Sequence, residues 1–283
     1  MKLRAFISNL RIYFHILIFT SFFQSLYGFA ATNDVDSEPA NYAFSNYLGS
    51  GLYRTSGQEA TVLNMPFSYQ LDNEIGPKFR VRLPVSVGFF DFDVSGLPEG
   101  VVPESIDTIS FVPGIEFDYP ISEDIIVTPY FDLGAARNLS AGTNTAIYSS
   151  GFSLYYQLEG GDYDPLWVNR MYYAGHYTGA TEKREEYAAF QTGIDIGLPH
   201  KFEVAGVSIQ PTVFATTYWY FLALEFDTPS GQDVSVSNSY ELGVTLKSAN
   251  KVGYSFLSLD RIGVGYRFGD NFYAWHLLFD LPI

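Results

Sequence analysis

The chain has 283 residues, no cysteine, and 31 acidic against 16 basic residues, which gives a formal net charge of −15 at pH 7. This acidic balance argues against a nucleic-acid partner, which requires a basic face. The lack of cysteine excludes disulfides and thiolate metal sites. Aromatic residues make up 18% of the sequence and no long helical periodicity is present, so an all-β protein is favoured.

The first segment of the chain, residues 1–30, has the three parts of a secretory signal peptide. Lys2, Arg4 and Arg11 make a basic start, the apolar run "IYFHILIFTSFFQSLYGFA" follows, and small residues surround Ala30. We predict export and cleavage after Ala30, with an N-terminal membrane anchor as the alternative. Removal of this segment leaves 13 basic against 31 acidic residues, a net charge of −18.

The rest of the chain divides into a short polar periplasmic segment, residues 31–42, and one β domain, residues 43–283. Apolar and polar residues alternate along this domain with a period of two, which predicts β-strands. The twelve predicted strands are roughly 43–56, 59–71, 78–92, 107–119, 125–138, 146–158, 166–178, 187–198, 206–224, 236–248, 254–268 and 272–283. Most reach the 9–11 residues that a tilted transmembrane strand needs, and no second apolar run has the ~20 residues of a helical span.

Apolar and polar residues alternate along the strands of both a transmembrane barrel and a soluble sandwich, so alternation alone does not separate the two folds. The composition of the polar faces does. In "TISFVPGIEFDYP", Ile109 and Ile115 share an apolar face, while Gly114 and Glu116 share the other. Faces rich in Gly, Ser and charge suit a confined lumen. We therefore predict an all-β fold, a transmembrane antiparallel up-and-down β-barrel of twelve strands, with a soluble secreted β-sandwich as the alternative.

The connections between these strands alternate in length. Those after even-numbered strands are mostly short, such as "ISED", and most of those after odd-numbered strands are longer, such as "DVSGLPEGVVPESI". Bacterial outer-membrane barrels have short periplasmic turns and longer external loops. An even number of strands then places both chain ends in the periplasm.

The last strand alternates large apolar residues with mixed ones. Because no strand edge can stay open in hydrocarbon, we interpret the apolar row as the lipid face of the strand that closes the barrel. The row also fits a bacterial insertion signal, although Ile283 stands where an aromatic residue is usual. Its members are Tyr273, Trp275, Leu277, Phe279, Leu281 and Ile283.

The stretches "TPYFDLGAAR" and "DRIGVGYRFGDNFYAWHLLFDLPI" resemble an autotransporter β-barrel, and in particular the solitary outer-membrane barrels of this type that lack a passenger. The resemblance covers roughly residues 43–283. It implies an outer-membrane location, insertion by the barrel-assembly machinery, contact with membrane lipids and lipopolysaccharide, and no cofactor. Residues 31–42 are too few for a passenger domain.

The histidines argue against a lipid-directed enzyme. Such an enzyme would need a His and a Ser two residues apart on one strand face. Neither His176, His200 nor His276 has a Ser at that spacing, although His176 and Thr178 share a face. We read that pair as a polar cluster at the external rim, and we expect a non-enzymatic protein without a bound metal.

Acidic residues crowd the longest connection. They are Asp91, Asp93, Glu99, Glu104 and Asp107. A barrel protease would need such acids to converge with a His. We interpret them instead as a solvated face, which could bind divalent cations among anionic headgroups.

Charged residues also fall on the faces that we assign to the lumen. They are Arg80, Arg82, Glu116, Asp118, Asp132, Asp195, Glu241, Lys247, Arg261, Arg267 and Asp280. Paired charges of this kind can fill a barrel and hold its shape, or they can line a pore that selects ions or small solutes. The first interpretation predicts a surface, anchoring or minor transport role, and the second predicts a porin-like channel.

Overall fold

The computed structural model describes residues 49–55, 58–71, 77–90, 107–140, 142–179, 183–226, 234–254, 257–269 and 272–281. The predicted signal peptide, residues 31–42, the loop acids from Asp91 to Glu104, and Ile283 lie outside these residues. No helix within the described ranges is long and apolar enough to cross a membrane.

Sixteen β-strands account for nearly all of the described chain, together with one short 3-10 helix at Gly161–Tyr163. The strands are β1 (Ser50–Thr55), β2 (Gln58–Met65), β3 (Ser68–Leu71), β4 (Lys78–Arg82), β5 (Val85–Phe90), β6 (Thr108–Phe111), β7 (Gly114–Pro120), β8 (Ile125–Asn138), β9 (Asn144–Gln157), β10 (Leu166–Thr178), β11 (Lys183–Gly197), β12 (Phe202–Val204), β13 (Val207–Phe226), β14 (Val234–Tyr254), β15 (Leu257–Gly269) and β16 (Phe272–Leu278).

All sixteen strands belong to one antiparallel sheet that closes on itself. The closing pair is β1 with β16, in a register that sets Ser50 opposite Leu277 and Thr55 opposite Phe272. Three pairs of segments, β2 with β3, β4 with β5 and β6 with β7, are each one interrupted barrel strand, and β12 is a short extra strand on β13. Sixteen segments therefore make twelve barrel strands, which confirms the predicted fold class.

The three interruptions occur at prolines on neighbouring strands. Pro66 and Pro84 lie in the breaks between β2 and β3 and between β4 and β5, and Pro113 lies between β6 and β7. Proline has no N–H to give to the sheet ladder, so the assigned strand stops there. The register nevertheless continues across the break, because the backbone N–H of Leu83 donates to the carbonyl of Phe67 at 2.7 Å.

Two predicted C-terminal strand ends differ from the structure by five residues or more. We expected the strand at 236–248 to end before "ANKV", whereas β14 runs on to Tyr254 and pairs with β15 as far as Leu257. We expected the last strand to reach residue 283, whereas β16 ends at Leu278. A register shift between Lys247 and Val252 lets the β14–β15 hairpin continue past the polar stretch that suggested a loop.

The outside of the barrel is apolar and the inside is polar. Large apolar side chains such as Ile115, Leu242 and Trp275 are exposed on the outer face, whereas Glu116 and Glu241 are buried inside. A soluble sandwich would have the opposite arrangement, with its apolar faces turned inward. The alternative of a soluble β-sandwich is therefore wrong.

Candidate functional site in the barrel lumen

The structure places most of the predicted lumen charges inside the barrel. Arg80, Arg82, Asp118 and Lys247 are half-buried, Asp280 is exposed at the end of the chain, and Glu116, Asp132, Asp195, Glu241, Arg261 and Arg267 are buried. Nine of these eleven residues belong to three groups, each of which spans several strands, and Lys247 pairs instead with Asp164 at 3.4 Å.

The first group lies on β4, β7 and β8. Arg80 forms an ion pair with Glu116, its direct neighbour across the β4–β7 pairing, and a longer one of 3.5 Å with Asp118. Arg82 pairs with Asp132, and its Nε lies 3.5 Å from Glu116 Oε2. Two arginines and three carboxylates thus form one ion-pair network on one side of the lumen, with one carboxylate in excess.

The second group links β11, β13, β14 and β15. Arg261 Nη1 donates to Asp195 Oδ2 at 2.8 Å, to Thr212 Oγ1 at 3.2 Å and to Thr245 Oγ1 at 3.1 Å. The Thr212 hydroxyl donates in turn to Asp195 Oδ1 at 2.7 Å. The buried pair is therefore enclosed by further hydrogen bonds, which a desolvated ion pair needs in order to be stable.

The third group contains a histidine that the predicted set lacks. His276 Nδ1 lies 2.9 Å from Glu241 Oε1, and the Tyr218 hydroxyl donates to Glu241 Oε2 at 3.0 Å. The Arg267 guanidinium carbon lies 3.6 Å from the centre of the Tyr218 ring and its Nη2 donates to the Tyr220 hydroxyl. Alternation along the last strand could have identified His276, because it falls between the outward Trp275 and Leu277.

A layer of tyrosines fills the lumen beside these groups. Its members are Tyr53, Tyr130, Tyr172, Tyr187, Tyr218 and Tyr220, and each is only 2–8% exposed. Tyr172 and Tyr187 meet edge to face, with ring centres 5.8 Å apart, and Tyr187 lies 6.1 Å from Tyr220. From the sequence we expected aromatic residues on the lipid face only. Some strands, such as β10, carry aromatic residues on both faces, and there the alternation does not show which of them point into the lumen.

The terminal end of the barrel, where β1 begins and β16 ends, contains a lumen cavity of about 520 Å³. Tyr130 and Tyr172 border it on the side of the tyrosine layer. Phe279 and Leu281 also line this cavity, whereas the prediction placed them in the lipid-facing row. The physical reason is that the strand stops at Leu278, so period-two alternation no longer fixes which side these residues face.

The first part of the predicted C-terminal row does lie on the outer face. Tyr273, Trp275 and Leu277 are all exposed there. Their role as an insertion signal for the assembly machinery stays a prediction.

Within the described ranges, the candidate catalytic and metal-binding residues do not form a recognisable centre. His176 is buried in the lumen with Thr178, whose hydroxyl lies 2.8 Å from that of Thr145, and His200 lies in an exposed connection. Asp107 accepts a hydrogen bond from the Ser140 hydroxyl at 3.1 Å. Among the residues that the structure describes, no three His, Cys, Asp or Glu side chains are grouped so that they could hold a metal ion.

A comparison with solved structures finds six matching chains, one of which is an autotransporter domain of low similarity. The β domain of the Bordetella autotransporter BrkA is 13% identical, with 81% of this chain and 94% of that chain covered and a TM-score of 0.44. The likeness concerns the fold alone. No protein-family model and no curated protein matches the chain, so its function must be inferred from its own residues.

Proposed function

We propose that this protein is a non-enzymatic integral barrel of the bacterial outer membrane, with a closed lumen and an anchoring or surface role. The observation that carries the proposal is the tyrosine layer, whose six members are 2–8% exposed. A twelve-strand barrel can enclose a narrow channel, but side chains that fill its interior block the flow of water and ions.

The outer surface supports the membrane part of the proposal. Its exposed side chains include Leu242, Val244, Ile262 and Trp275, which would be unstable in water but are stable against lipid chains. Outer-membrane lipids and lipopolysaccharide are then the immediate partners of the barrel. Export by a signal peptide and insertion by the barrel-assembly machinery, with both chain ends in the periplasm, belong to the same proposal.

A porin-like channel is the second candidate. The observation that favours it is the cavity at the terminal end, which Arg80 and Arg82 line together with other charged residues. This cavity would be the vestibule of a pore if the tyrosine layer moved. A lipid-directed enzyme is a weaker candidate. Its support is the group of His276, Glu241 and Tyr218, but His276 is buried and no Ser lies two residues from it.

Conductance in a planar bilayer separates the first two functions. We expect the refolded wild-type chain to be silent and a Tyr172→Ala/Tyr220→Ala variant to conduct, because it removes two rings from the layer. Tyr240→Ala is the matched control, since Tyr240 lies exposed on the outer face. Discrete steps from the wild-type chain would support the channel instead. Heat-dependent gel migration would establish that each variant is folded.

A further inference from the structure

Arg170 differs in its partners from the other arginines that line the cavity. Arg80, Arg82 and Arg261 each form an ion pair with a carboxylate. Arg170, on β10, lines the same cavity, but it makes no ion pair with any carboxylate of the described chain. A guanidinium is always charged in proteins, so Arg170 brings an uncompensated positive charge to the cavity.

Arg170 is held in place by aromatic rings. Its guanidinium carbon lies 4.8 Å from the centre of the Tyr130 ring and 5.3 Å from that of Tyr172. Arg82 lies 4.7 Å from the same Tyr130 ring. Stacking uses the faces of a guanidinium and leaves its in-plane N–H groups as donors, and the Nε of Arg170 is buried without a hydrogen-bond partner.

Four of the five basic residues that line the cavity form an ion pair with a carboxylate. The lining contains five basic residues and four acidic ones: Arg80, Arg82, Arg170, Lys247 and Arg261 against Glu116, Asp132, Asp260 and Asp280. Glu116 and Asp132 are already engaged by Arg80 and Arg82. Arg261 pairs with Asp195 and Lys247 with Asp164, so Arg170 is the basic residue of the lining whose charge no ion pair within the described chain balances.

We propose that this cavity is a binding site for a small organic oxyanion, a carboxylate or a phosphate monoester, whose charged group binds Arg170. Ser153, Tyr155 and Gln191 line the cavity and supply further hydrogen-bond donors. Phe67 and Phe279 supply apolar surface for the rest of the ligand. A volume of about 520 Å³ lies within the range of sites for small molecules. This binding does not depend on whether the lumen is closed, so it goes beyond the proposed function.

Isothermal titration calorimetry of the refolded chain in zwitterionic detergent tests the site. The probes are benzoate, phenyl phosphate and inorganic phosphate, with uncharged benzamide as the neutral match of benzoate. We expect benzoate or phenyl phosphate to bind, benzamide not to bind, and added NaCl to weaken the binding of the anion. Arg170→Gln should weaken the binding at least about tenfold, because a charge-assisted hydrogen bond is lost.

The variants separate a local effect from a general one. Arg184→Gln is the matched control, because Arg184 is an exposed arginine that does not line the cavity, and it should bind as the wild-type chain does. Arg170→Lys keeps the charge but loses the planar fork, and it should bind several-fold more weakly than wild type. This second variant, with heat-dependent migration as the folding check, tests the site even if Arg170→Gln does not fold.

Several results would overturn the proposal. One is a wild-type chain that binds none of the three anions, and another is an Arg170→Gln variant that is folded and binds with unchanged affinity. Binding of benzamide as tight as that of benzoate would contradict a role for charge. Equal affinity for inorganic phosphate and phenyl phosphate would contradict the claim that the cavity also binds the organic group of the ligand. Conductance of the wild-type barrel bears only on the closed lumen, so the two proposals can fail separately.

Discussion

His276 and Leu277 are neighbours on the closing strand, yet the first is 4% exposed and the second is 50% exposed. The strand alternates so that His276 faces the lumen, where it meets Glu241, and Leu277 faces outward. A polar residue inside and an apolar residue outside can both be stable only if the outer surface is covered by lipid.

Leu277→Arg should therefore impair assembly. A charged arginine on the lipid face of a barrel costs about 2–4 kcal/mol near the bilayer midplane and less toward the interfaces. The amount of heat-modifiable protein in the outer-membrane fraction measures the effect. Asp280→Asn is the comparison and should be milder, because Asp280 is exposed at the cavity. Normal accumulation of the Leu277→Arg variant would contradict the outward assignment.

Glu241→Gln should destabilise the folded barrel by about 1–3 kcal/mol, the usual effect of weakening hydrogen bonds to a buried charged group. Glu241 is 1% exposed, bonds to both His276 and Tyr218, and lies opposite Arg267 in the β14–β15 pairing, so the substitution weakens both hydrogen bonds and removes a negative charge beside Arg267. The urea midpoint of unfolding in detergent measures the change. Glu203→Gln, at an exposed position on β12, should leave the midpoint unchanged.

Gly114→Ala should break the ion pair between Arg82 and Asp132, whose side chains meet next to Gly114. Arg82 and Asp132 lie one strand apart, and Gly114 is opposite both of them in the register of β4, β7 and β8. A Cβ at Gly114 would overlap the Asp132 carboxylate where it meets Arg82. We expect a loss of about 1–3 kcal/mol of stability, as for other overpacked interiors, measured by urea unfolding.

The control for this prediction is Gly179→Ala. A Cβ at Gly179 would come no closer than 3.9 Å to Tyr177, so this variant should unfold at the wild-type urea concentration. An equal loss of stability in both variants would contradict a specific role of the Arg82–Asp132 ion pair.

Local alternation was enough to predict the barrel and the direction of most side chains. Ile109 and Ile115 point outward and Glu116 inward, as their positions along the strand require. Alternation cannot predict contacts across the lumen, because these join distant strands. Arg261 on β15 and Asp195 on β11 are separated by β13 and β14, and nothing in the sequence links them.

The tyrosine layer escaped prediction for a different reason. On β10, Met171, Tyr172 and Tyr173 follow one another, so both faces of the strand carry large side chains and the pattern does not separate them. Only the assembled barrel shows that Tyr172 meets Tyr187 in the lumen. That Arg170 has no ion pair in the described chain likewise depends on which carboxylates pair with the other arginines of the cavity. The sequence alone does not show these pairings.

Phe279→Arg tests the end of the closing strand directly. If Phe279 lines the water-accessible cavity beyond Leu278, an arginine there keeps its hydration and stays out of the hydrocarbon. Its assembly defect should then be much smaller than that of Leu277→Arg, measured as heat-modifiable protein in the same outer-membrane fractions. Equal defects in the two variants would place Phe279 on the lipid face and restore the uninterrupted apolar row. A smaller defect for Phe279→Arg would mean that the lipid-facing row of the closing strand ends at Leu277.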